Sequence, residues 1–272
     1  MTYKNRPPAP EKMPLVSCVL LALMHMPLAA QTVSTAQPAA SGAQKIGFFS
    51  ATAAPSAVPP PWRVIQFDTK IPATEYRVVL WDGQASVQAT ANASMALLAR
   101  PLAIDLPATP VLCWRWRVDS TVKTADMATK AGDDYAARVY VAFKLPPEDL
   151  GFGLRTKLSI ARSIYGDHVP DAAINYVWDN RQAIGTRRPN AYTDRTHMVV
   201  MRTGDAQAGA WVQERVNVLQ DVTTIFNSPR AQATLIALAA DTDNTGETAR
   251  SGFAQLHFVA AHEPCQFTNS AD

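Results

Sequence analysis

Beyond residue 61 the chain is a succession of short apolar runs with a two-residue period, each closed by a turn signal, and helical periodicity is scarce. That pattern restricts the chain to strands. The runs are Trp62–Phe67, Tyr76–Trp81, Ser86–Ala91, Leu102–Leu106, Leu112–Val118 and Tyr135–Phe143. They continue with Ala173–Trp178, His197–Arg202, Trp211–Val218, Thr234–Ala240 and Gly252–Val259. Asp82-Gly83, Leu106-Pro107, Ala131-Gly132, Pro146-Pro147, Thr203-Gly204 and Thr245-Gly246 punctuate them. Many short strands so divided predict an all-β fold, a jelly-roll-like antiparallel β-sandwich with few short helices. Asp221–Phe226 reads as one helical turn, and Gly151–Tyr165 as a short helix or an extended loop.

The N-terminal region has a different composition. Residues 1–30 read as a secretory signal: a basic start ending at Lys12, an apolar run from Leu15 to Leu28, and small residues before Gln31. The run is short and interrupted by His25 and Pro27, so no stable membrane span is expected after cleavage. The mature protein is expected to be periplasmic or secreted. Half of the 20 prolines lie in residues 1–61. Residues 31–61 read as an Ala/Ser/Pro-rich linker with one embedded strand, Lys45–Phe49. A single domain is expected over 62–262 and a flexible tail over 263–272. The formal charge of +2 comes from the signal region, where Lys4, Arg6 and Lys12 face Glu11 alone. The remainder is neutral, which argues against nucleic-acid binding. Of the two cysteines outside the signal, Cys113 and Cys265, an exported compartment permits a disulfide. Two small buried side chains are the other reading, and the one favoured here.

Splitting each strand by its alternation separates two chemistries. Trp114/Trp116, Val139/Val141 and Val212/Val216 form apolar faces that suit a sandwich core. The opposite phases carry Arg115, Arg117, Arg138, Tyr140, Trp211, Arg215 and Asn217, and Tyr176 with Trp178 is grouped with them on one open sheet face. Aromatics interleaved with arginine and amides suit sugar rings and their hydroxyls. The expected ligand-binding residues are therefore Asp134, Arg138, Tyr176, Trp178 and Asn217, and the expected partner is a saccharide or envelope polymer. Plain cross-strand pairing on a solvent-facing sheet is the competing reading. Arg138 sits in the strand after Gly132-Asp133-Asp134 and needs an acidic partner if it is buried. No cofactor is expected apart from a candidate calcium at Asp241 and Asp243, in the oxygen-rich run Asp241-Thr242-Asp243-Asn244-Thr245-Gly246. The twelfth position of an EF-hand would fall on Gly252, so the loop is not of that kind. No nucleophile elbow, zinc-protease motif or P-loop is present, and catalytic residues stay unassigned. A hydrolase or lyase with paired acids, and a structural envelope protein, remain alternatives.

Several blocks carry a resemblance. Trp114-Arg115-Trp116, Gly132-Asp133-Asp134-Tyr135-Ala136-Ala137-Arg138, Ala173-Ile174-Asn175-Tyr176-Val177-Trp178 and Asn190-Ala191-Tyr192 occur in this order. Glu214-Arg215-Val216-Asn217-Val218 with Asp221, and Asp241-Thr242-Asp243-Asn244-Thr245, follow. Together they resemble the bacterial exported proteins of domain of unknown function 3047, over roughly Trp62 to Val259. The resemblance implies a secreted or periplasmic single-domain β protein and brings no established catalytic residues.

Overall fold

The computed structural model describes residues 42–52, 54–165 and 169–268. The expected signal at residues 1–30, the first part of the expected linker and His168 lie outside the described residues. The strands begin with β1 (Gln44–Gly47), β2 (Arg63–Ile65), β3 (Glu75–Trp81), β4 (Gln84–Asn92), β5 (Leu97–Pro101) and β6 (Val111–Val118). Next come β7 (Tyr135–Lys144), β8 (Ala172–Asp179), β9 (Arg187–Pro189), β10 (Thr196–Thr203), β11 (Val212–Asn217), β12 (Gln232–Asp241) and β13 (Thr248–Val259). Two helices accompany them, α1 (Phe152–Tyr165) and α2 (Val218–Phe226).

The strands form two sheets and the fold is an all-β sandwich. The first sheet runs β3–β4–β13–β6–β11, with β1 added alongside β13. The second runs β2–β5–β12–β7–β8–β10–β9. Pairing is antiparallel except between β8 and β10, which are parallel. A parallel pair needs a connection that returns to its starting end. Residues 180–195 provide it and lay β9 along the far edge of β10.

The core is built around aromatics that cross between the sheets. Trp114 and Trp116 on β6 meet edge to face at 5.4 Å, and each packs against β8 at 5.7 Å, Trp114 on Tyr176 and Trp116 on Trp178. Tyr176 and Trp178 are thus interior residues, which corrects their expected place on an open face. β8 is buried along its whole length on both faces, and its polar residues Asn175 and Asp179 take the phase opposite Tyr176 and Trp178. The two buried polar tips find partners, as buried Tyr and Trp require. Tyr176 donates to Asp221 on α2 at 3.0 Å, and Trp178 Nε1 donates to the Gly204 carbonyl at 3.0 Å. Trp116 Nε1 donates to Glu214, which also accepts from Arg202.

Other expectations need correcting. The expected strand Leu102–Leu106 is a turn region, and the real strand is the preceding β5, whose Leu-Leu-Ala sequence lacks β-branched residues. Asn217 ends β11 in the first sheet and caps α2, its side chain accepting from the Gln220 amide at 2.9 Å. Cys113 and Cys265 form a disulfide with Cα atoms 5.8 Å apart, so they are not free thiols. The stretch expected as a flexible tail is docked as far as Thr268, which exchanges hydrogen bonds with Gln255.

Candidate functional site

The site lies on the outer face of the second sheet. There β5, β12, β7 and β8 present Leu97 and Ala99, Leu235, Ala237, Ala239 and Asp241, Arg138, Tyr140 and Ala142, and Asn175. The alanines Ala99, Ala237 and Ala239 are fully covered by a small apolar cluster that includes Ile65, Met95, Leu97, Tyr140 and Leu235. Small residues beneath large ones keep this face low, and two cavities open above it. One, of about 300 Å³, is lined by Phe67, Met95, Leu97, Tyr140 and a polar wall of Asp133, Arg138, Asn175, Asn190, Asp241 and Asp243. The other, of about 650 Å³, is mostly apolar. The two share Phe67, Leu97 and Tyr140, so they are adjoining parts of one groove.

The polar wall is assembled from three loops around one turn. Residues Lys130–Gly132 form a single 3-10 turn before β7. A Cβ at Gly132 would fall 2.5 Å from the Asp126 nitrogen, so only glycine fits this close backbone approach. The Gly132 carbonyl accepts from the Asp126 amide at 2.7 Å and from the Asp134 amide at 2.8 Å. Asp134 then accepts from the Asn244 side chain at 3.1 Å and from the Thr245 amide at 2.7 Å, clamping the β12–β13 loop. Its neighbour Asp133 accepts from Asn190 at 2.7 Å and from the Tyr135 hydroxyl at 3.2 Å, clamping the β9–β10 loop. Tyr192 of that second loop donates to Asn244 at 3.0 Å and closes the circuit.

Arg138 and Asp241 meet at the bottom. Their carboxylate–guanidinium distance is 2.6 Å, with Arg138 Nη2 on Asp241 Oδ2. For Arg138, burial opposes the charge, but Asp241 and then Asp133 outweigh it and the guanidinium is held charged. Burial pushes the Asp241 carboxyl well above the usual carboxylate range; Arg138 pulls it down, while Asp134, Asp133 and Asp243 push it up. Asp243 is raised as well, by burial and then by Asp134. Four buried atoms on this wall have no protein partner: Arg138 Nε, Asn175 Oδ1, Asp241 Oδ1 and Asp243 Oδ1.

Of the residues singled out in the sequence, Asp134, Arg138, Asp241 and Asp243 come together here. Tyr176, Trp178 and Asn217 do not. Arg115, Arg117 and Arg215 belong to β6 and β11 in the other sheet, so they share no face with Arg138. Arg117 is instead held by Asp82 and Asp119 and lies 4.2 Å from the Trp81 ring centre. Sequence reasoning missed Asn175, Asn190 and Tyr192 as lining residues. A signal existed for the first: Asn175 and Asp179 fall in one phase of β8, opposite Ile174, Tyr176 and Trp178.

The family described as a protein of unknown function (DUF3047) matches residues 60–257. The chain belongs to this family. The matched span contains the second sheet, the first sheet apart from β1 and the last two residues of β13, the groove and each acid of its polar wall. No curated protein matches the chain.

Proposed function

We propose that this chain is an exported, non-catalytic binder of a saccharide or related polyhydroxylated envelope polymer, held in the groove above β5, β12, β7 and β8. The observation that carries the reading is the set of buried, unpartnered polar atoms around the smaller cavity: Arg138 Nε, Asn175 Oδ1, Asp241 Oδ1 and Asp243 Oδ1. Buried polar groups are normally hydrogen-bonded, and leaving one unmet costs about 1–3 kcal/mol. Ligand hydroxyls supply both donors and acceptors to meet them. Tyr140 and Phe67, shared by both cavities, offer ring faces to the apolar side of a sugar.

Titration calorimetry with soluble envelope polysaccharides and their oligomers, preceded by a glycan array, tests this. Saturable binding that falls at least about tenfold in Asn175→Ala, the size of one buried hydrogen bond, is the expected result. Absence of binding across the array sinks the reading.

A glycan-cleaving enzyme is the second reading, because one oxygen each of Asp241 and Asp243 lies within 4.8 Å, near the roughly 5 Å of retaining acid pairs. Asp241 is only 1% exposed and its other oxygen is held by Arg138, which favours binding over attack. Release of reducing ends from a bound polymer would reverse that preference.

A further inference from the structure

The polar end of the groove carries more negative charge than its own residues neutralise. Among the described residues lining the smaller cavity, Arg138 is the one cation, facing Asp68, Asp133, Asp241 and Asp243. One carboxylate oxygen from each of Asp134, Asp241 and Asp243 lies within 4.8 Å of the other two. Like charges so close repel, and the fold nonetheless fixes them there. Asp134 is oriented by the Asn244 side chain and the Thr245 amide, and Asp241 by the Arg138 guanidinium. Such outer contacts are how ligating carboxylates are normally held ready for an ion.

Two unpartnered oxygens point to a ligand, and the second lies outside the acid cluster. Within the cluster, Asp241 Oδ1 is buried and unpartnered, on a side chain only 2% exposed. Asn175, 3% exposed and lining the same cavity, leaves its Oδ1 without a donor. Both are oxygens that lack a protein proton and line one cavity, where a bound cation and its waters would supply what the protein does not. We propose that Asp134, Asp241 and Asp243 form a calcium site at the polar end of the groove.

The donor set selects the ion. It consists of carboxylate oxygens with no His or Cys among them, which suits a hard cation and not zinc. Calcium accepts irregular geometry and six to eight oxygens, whereas magnesium demands a near-ideal octahedron. Asp134 accepts two bonds at Oδ1, from the Asn244 amide and side chain, and one at Oδ2, from the Thr245 amide, which leaves Oδ2 a lone pair for the ion. The carboxyls of Asp241 and Asp243 are raised by burial first and by neighbouring acids after it, and a cation would relieve the second of these. The site goes beyond the saccharide reading and does not rest on it.

The test uses the whole chain, freed of metal by a chelator, and calcium chloride alone as the probe. Calorimetry is expected to show one ion per chain with a dissociation constant of about 10⁻⁴–10⁻³ M, the range of extracellular modules, and a calcium-dependent rise in melting temperature. Asp243→Asn is the decisive variant because it keeps the size of a half-buried side chain whose charge is already disfavoured by burial and by Asp134. It is expected to weaken calcium at least about tenfold while leaving the calcium-free melt no lower than that of the wild type. Absence of heat and of a melting shift at about 10 mM calcium, or unchanged binding by Asp243→Asn, overturns the site. Magnesium binding as tightly as calcium overturns the choice of ion. Because no sugar enters the experiment, its failure leaves the saccharide reading standing.

Discussion

Replacing Arg138 with methionine removes one charge from the bottom of the groove and keeps most of the side chain's length and apolar packing. The Arg138 and Asp241 side chains are 9% and 2% exposed and meet at 2.6 Å, so solvent offers Asp241 no substitute partner. Asp134, Asp133 and Asp243 already act to raise it. Breaking a buried pair by removing one member costs about 3–5 kcal/mol. In a domain of this size that is roughly 10 °C of melting temperature. An acid whose folded pKa is raised is penalised only above its unfolded value of about 3.9, so the deficit shrinks as pH falls toward that value. Urea unfolding followed by tryptophan fluorescence, on the wild type, Arg138→Met, Asp241→Asn and the double variant, measures the pair as a cycle. Asp241→Asn removes the orphaned charge and is expected to restore most of the loss in the Arg138→Met background. An Arg138→Met protein within about 1 kcal/mol of wild type would refute the reasoning, since surface substitutions fall in that range. So would a double variant no more stable than the single one.

Two further outcomes follow from other parts of the fold. Replacing Cys113 and Cys265 by serine opens a loop with a sequence separation of 152, for which chain entropy gives about 5 kcal/mol, and the urea midpoint is expected to fall accordingly. A midpoint unchanged from the oxidised wild type would show that the strap contributes nothing. His257 is fully buried, its Nδ1 against the Gln255 carbonyl at 2.7 Å and its Nε2 accepting from the Gln266 amide at 2.8 Å. Burial, then Lys45, lower its pKa below 6.5 against the opposing pull of the Gln255 carbonyl, so the stability it carries is complete above that value and is lost as pH drops through it toward the folded value. A urea midpoint that declines from about pH 7 to pH 5 in wild type, and less steeply in His257→Gln, is expected; identical slopes contradict it.

Alternation made the apolar half of the sandwich legible. In Leu112–Val118 and Tyr135–Phe143 the polar phase contains arginines, and the Trp114/Trp116 and Val139/Val141 phases lie in the core as their pattern requires. In β8 the alternation also held the answer, with Asn175 and Asp179 opposite Tyr176 and Trp178, but Tyr and Trp serve equally on an open face or inside with one polar tip satisfied and were placed outside. Alternation also says nothing of sheet membership, and so Arg115, Arg117 and Arg215 were grouped with Arg138 from across the sandwich. The 14-residue α1 was ambiguous because Gly151 and Gly153 stand at its start, where they weaken helical propensity. Asn190 and Tyr192 stood in one of the blocks that carry the family resemblance, but no local pattern gave them a place in the site. Their roles come from contacts with Asp133 and Asn244, 57 and 52 residues away, which no local pattern encodes.

The two acids of Gly132-Asp133-Asp134 were first of interest as possible partners of one arginine. In the folded chain they face different clients, Asp133 the loop carrying Asn190 and Asp134 the loop carrying Thr245. Neighbouring Cα atoms are about 3.8 Å apart, so these two loops are moored to the two ends of a single peptide unit. The wall above Arg138 therefore has no independently movable halves. Both loops, joined as well by Tyr192 on Asn244, thus share one anchoring point at the rim of the groove.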